Sequence, residues 1–136
     1  MYFEADNVAY AIIANGLNYP LNDISKAILS IYYGLSFELP DFSQKAVQLS
    51  ANEMASYTGK FVSEDLPLDL TLLVQDGQLT AQATGQQAFP LTPYSAYEFR
   101  FEPAGVVIIF AQDGDKVDYS TFNLKQSGGV FKFTKQ

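Results

Sequence analysis

Between Leu49 and Lys135 the hydrophobic positions alternate with polar ones in a succession of short runs. The alternation is clearest in Tyr97-Glu98-Phe99-Arg100-Phe101-Glu102, where three aromatics fall on one side and a Glu/Arg/Glu ladder on the other. Successive side chains of a strand point to opposite faces, so this is the pattern of a strand buried on one side. Strands are predicted near 57–64, 68–75, 78–84, 88–92, 96–102, 105–112, 116–125 and 129–135. Asp76-Gly77 predicts a two-residue hairpin of the primed type, and Asp113-Gly114 and Gly128-Gly129 mark two more. Eight short antiparallel strands joined by tight turns predict a meander rolled into a small barrel, since closure removes exposed strand edges. Its interior is expected to hold Leu70, Leu72, Val74, Leu79, Phe99, Phe101, Phe110, Phe131 and Phe133.

The pattern differs upstream. Val8-Ala9-Tyr10-Ala11-Ile12-Ile13-Ala14 is a continuous apolar run, expected to form a strand covered on both faces and to end at a turn on Asn15-Gly16. Ile24, Ala27, Ile28 and Ile31 then recur at helical spacing, with Leu35 following. Asn22 or Asp23 is the expected cap of that helix, and Gly34 its left-handed C-terminal residue. Phe37-Glu38-Leu39-Pro40-Asp41 is expected to be extended, because proline restrains the residue before it. Ser50 with Glu53 three residues on has the form of a capping box opening one helical turn. The chain thus divides into a strand–turn–helix unit over 1–40, a connector over 41–56 and a small β-barrel over 57–136. The class is mainly β, α+β overall.

Composition narrows the chemistry. Of 136 residues 48% are apolar, enough to build a core and against disorder over most of the length. Fifteen Asp and Glu against eight scattered Lys and Arg leave a charge of −7, the wrong sign for a nucleic-acid surface. The chain has no Cys and no His, so thiolate chemistry and a Ser–His–Asp triad are excluded. No apolar run reaches the eighteen residues of a membrane span. The first residues lack the basic and apolar segments of a signal peptide.

Leu49-Ser50, Tyr57-x-Gly59-x-Phe61, Gly77-x-Leu79, Phe89-Pro90-Leu91-x-Pro93-x-Ser95 and Phe99-x-Phe101 resemble, in order and spacing, an accessory domain that follows the catalytic region of many serine β-lactamase-like proteins (relatives of penicillin-binding proteins, and esterases). Phe122 to Lys132 is similar to that domain's closing strand, glycine turn and strand. Val8 to Ala14 resembles the last sheet strand of the catalytic domain, and Asp23 to Gly34 its C-terminal helix. The resemblance implies a lipocalin-like barrel, a non-catalytic role, and the catalytic domain of the parent protein as partner, with self-association through the N-terminal segment as a further expectation. It also implies a periplasmic or secreted location. The family's nucleophile is a Ser three residues before a Lys, a spacing that lets the amine reach the hydroxyl across one helical turn. No Ser here has a Lys at that distance, and the Tyr-x-Asn and Lys-Thr-Gly motifs are missing as well. No catalytic, cofactor-binding or metal residue is therefore expected in this chain. A stand-alone barrel holding a small apolar ligand is the alternative.

Four groups of residues bear on chemistry. Asp113, Asp115 and Asp118 surround a turn, but their spacing is not that of a calcium loop, and a solvated hairpin tip is expected. Glu64, Asp65 and Asp69 flank Leu66-Pro67-Leu68 and are expected to be solvated carboxylates. Tyr57 and Gly59 are expected to be structural, the glycine marking a bulge or close approach. Arg100 is expected to stand between Glu98 and Glu102 in an outward charge ladder.

Overall fold

The computed structural model describes residues 2–3, 8–13, 15, 21–37 and 44–136. Its main body is a nine-stranded antiparallel sheet of β3 (Gly59–Val62), β4 (Asp69–Gln75), β5 (Gln78–Ala83), β6 (Phe89–Pro90), β7 (Thr92–Pro93), β8 (Glu98–Phe101), β9 (Val106–Asp113), β10 (Lys116–Gln126) and β11 (Gly129–Lys135). The strand order β6-β5-β4-β3-β11-β10-β9-β8-β7 joins the first barrel strand to the last. The two edge strands are one stretch of chain interrupted at Leu91. Pro90 pairs with Thr80 of β5, whereas Pro93 pairs with Phe99 of β8. Counting 89–93 as one strand gives eight, and the sheet is nearly closed, as the alternation predicted.

Turn chemistry sets the register. Asp76 and Gly77 both take positive φ, the geometry of a type I′ turn that matches the twist of β4 and β5. The turn expected at Gly128-Gly129 lies one residue earlier. Ser127 and Gly128 are its central residues, both at positive φ, and Gly129 already pairs with Gln126.

The interior is built of rings. Tyr57, Phe61, Phe99, Phe110, Phe122 and Phe133 are all at most 2% exposed. Phe122 stacks on Phe133 at 5.2 Å between centroids, and Phe61 lies 4.8 Å from Phe122. Each buried ring removes enough apolar surface from water to contribute about 2 kcal/mol. Leu70, Leu72, Leu79, Phe99, Phe110 and Phe133 are buried as expected, and Phe101 and Phe131 pack against the core half-buried. Val74 is not interior: at 36% exposed it stands next to the Asp76-Gly77 turn, beyond the packed layer.

Helix α2 (Ala51–Ser56) closes the barrel end at which β3 begins. Its capping box forms as the sequence predicted: the Glu53 amide donates to Ser50 Oγ, and the Ser50 amide donates to Glu53 Oε2 at 2.7 Å. These bonds to the carboxylate hold Glu53 below its ordinary acidity range, the Ser50 hydroxyl contributing most. Met54 of this turn is buried, and Tyr57 just beyond it enters the ring cluster.

The N-terminal unit departs from expectation. Only β2 (Val8–Ala9) forms strand within Val8–Ile13, paired with β1 (Tyr2–Phe3). Among the described residues that run is not covered on both faces: Ala9, Ala11 and Ile13 are exposed, and Val8, Tyr10 and Ile12 only half-buried. Ile13 is 98% exposed. Helix α1 (Leu21–Tyr32) starts ahead of the expected caps, placing Asp23 inside its first turn, where a carboxylate complements the helix dipole. Its end follows the prediction. Gly34 is left-handed, its amide donates to the Ile31 carbonyl, and the Leu35 amide donates to that of Ser30. This is a Schellman ending. Ala14, Gly16 and the segment 38–41 lie outside the described residues, and with them the expected Asn15-Gly16 turn and most of the extended proline segment.

Candidate interaction surface

The Arg100 cluster stands outside the core, its charges paired. Arg100 donates from Nε to Glu98 Oε1 at 2.6 Å, and its guanidinium lies 4.2 Å over the Tyr94 ring. Its Nη2 donates to Gln44 Oε1. Tyr94 donates to Glu102 Oε1 at 2.7 Å, a bond that raises the phenol's pKa by favouring its protonated form. Arg100 thus stands between the two acids as predicted, but binds only Glu98. The other acid serves Tyr94, a residue the alternation alone did not single out.

The remaining candidates stay apart. Asp118 accepts from the Ser120 amide at 2.9 Å and from its hydroxyl at 2.5 Å, which depress its pKa, the hydroxyl first. Asp113 and Asp115 are exposed at the hairpin tip. Asp69 pairs with Lys60 at 2.8 Å, while Glu64 and Asp65 are exposed in the β3–β4 loop. Among the described residues, no three acidic side chains are grouped to hold a metal ion.

Tyr57 is structural, as expected. Its ring packs edge-on against Phe99, Phe110 and Tyr119, and its hydroxyl donates to the Ala96 carbonyl. Burial foremost, and then Tyr119, push its pKa up to about 12.

An apolar surface in the N-terminal segment is less expected. Ile31, Tyr32 and Leu35 are 63%, 59% and 62% exposed, and Tyr33 and Phe37 are exposed beside them. The helical periodicity identified Ile31 and Leu35 as one face, but periodicity does not say what covers it. None of the described residues of α1 falls in the buried class. No helix among the described residues is long and apolar enough to cross a membrane.

No protein-family model matches this chain, and no curated protein matches it in sequence.

Proposed function

We propose that this chain is a non-catalytic accessory module that docks on a larger partner, the catalytic domain of a serine β-lactamase-like hydrolase. The observation that carries the reading is the apolar surface that Ile31, Tyr32, Leu35 and Phe37 expose among the described residues, beside a barrel whose own core is filled. The identity of the partner rests on the resemblance of 49–132 to the accessory domain, and of 8–34 to the end of the catalytic domain.

The test begins with the coding sequence upstream of Met1. An in-frame Ser-x-x-Lys several hundred residues upstream identifies the partner domain, which is then produced separately and titrated with this chain. A one-to-one complex weakened by Ile31→Asp or Leu35→Asp supports the reading. A stop codon directly upstream, or no complex, overturns it.

A further inference from the structure

We infer that residues 44–50 form a strap clasped to the barrel seam by Arg100, which fixes where the N-terminal segment leaves the barrel. The seam is the place where strand pairing changes hands. Up to Leu91 the stretch 89–93 faces β5, the Leu91 amide donating to the Leu79 carbonyl at 2.8 Å. From Thr92 onward it pairs with β8 instead. Two prolines in five residues leave this stretch short of donors. Beyond Leu91 no β5 residue is paired with it.

The strap pairs with a carbonyl that the seam offers. The Val47 amide donates to the Pro93 carbonyl at 2.9 Å, adding a backbone bond at the point where β5 has departed. Leu49 packs against the core, and Ser50 begins the capping box that anchors α2. At the other end Gln44 accepts from Arg100 Nη2. Arg100 is itself held from two sides, its Nε and Nη2 against Glu98 and its guanidinium over the Tyr94 ring, so the Nη2 it shares between Glu98 and Gln44 has a set direction. Tyr94 is in turn oriented by Glu102. A guanidinium held in this way loses little further entropy on binding Gln44, so its contact adds to the Val47 bond and the Leu49 packing that hold the strap. Arg100 acts here as a positioning residue.

This inference goes beyond the docking proposal and rests on the barrel alone, so the absence of a hydrolase partner leaves it standing. Amide hydrogen exchange of the intact chain tests it, comparing the Val47 amide with that of Phe110, which donates to Tyr97 inside the barrel at 2.8 Å. Arg100→Met and Gln44→Ala are each expected to speed exchange at Val47 about tenfold, the worth of one hydrogen bond to a charged group. Phe110 stays protected in both, and the double variant is no faster than either single one. Should Arg100→Met unfold, the exposed Gln44→Ala decides alone. Unchanged exchange at Val47 overturns the clasp, and so does equal loss at Phe110, which signals general loosening of the barrel.

Discussion

The side chain of Lys135 occupies the space in which a Cβ on Gly59 would stand, its Cε 2.5 Å from that position. The ammonium continues outward, 5.8 Å from the centre of the Phe61 ring. Two separate things therefore demand glycine at 59. One is Lys135, which is flexible and can move. The other is a φ of +150°, a conformation that a side chain makes costly.

These causes can be separated. Gly59→Ala is expected to cost about 2 kcal/mol of stability, mostly from backbone strain. Adding Lys135→Ala relieves the contact but not the strain, so the double variant stays as unstable as the single one in urea denaturation. Recovery of wild-type stability in the double variant would show that crowding alone excluded a side chain.

Tyr57 predicts a dependence on alkaline pH. Its pKa is raised from 10.0 to about 12 in the folded chain. The folded state therefore keeps the proton after the unfolded state has lost it. The stability contributed by the neutral phenol is complete below pH 10 and disappears as pH rises toward 12. Over that window the wild type should lose roughly 2 kcal/mol more than Tyr57→Phe, which has no phenol to ionise at this position. At pH 7 the order reverses, because the Phe variant lacks the bond to Ala96 and is less stable by about 1 kcal/mol. Parallel pH profiles for the two proteins would refute this account of Tyr57.

At Ser127 the turn asks for a residue other than the one present. A serine at φ +52° pays a steric cost that asparagine tolerates better. Ser127→Asn should raise stability by roughly 0.5 kcal/mol, and Ser127→Val should lower it by about 1 kcal/mol. Thermal melts of the two variants measure both shifts, and a valine variant as stable as wild type contradicts the turn assignment.

Two apolar residues should respond in opposite ways to substitution. Phe122 is 1% exposed among three other rings, so Phe122→Ala leaves a cavity and costs about 3–5 kcal/mol. Ile31 is equally apolar but uncovered, and Ile31→Asp should change the stability of the chain by less than about 0.5 kcal/mol. Chemical denaturation checks the pair. A large loss at Ile31 would mean that the helix face is already used within the chain.

The elements that depend on neighbouring residues were legible in the sequence. Strand boundaries in the barrel follow from the period of two, the Asp76-Gly77 turn from its need for positive φ at both positions, and the Ser50/Glu53 box and the Gly34 ending from the unpaired backbone groups at helix ends. The tertiary structure alone decided what depends on distant partners. Leu91 became the point where one strand changes neighbours, because closing the meander brings β5 and β8 to the same stretch of chain. Tyr94 entered the Arg100 cluster because strand pairing, not sequence distance, set the two side by side. Val8–Ile13 had the composition of a buried strand, yet burial requires a second layer, and an apolar run cannot supply its own cover. The same reason left Ile31 and Leu35 as a face without a partner: periodicity determines which side chains point together, and only packing determines what they meet.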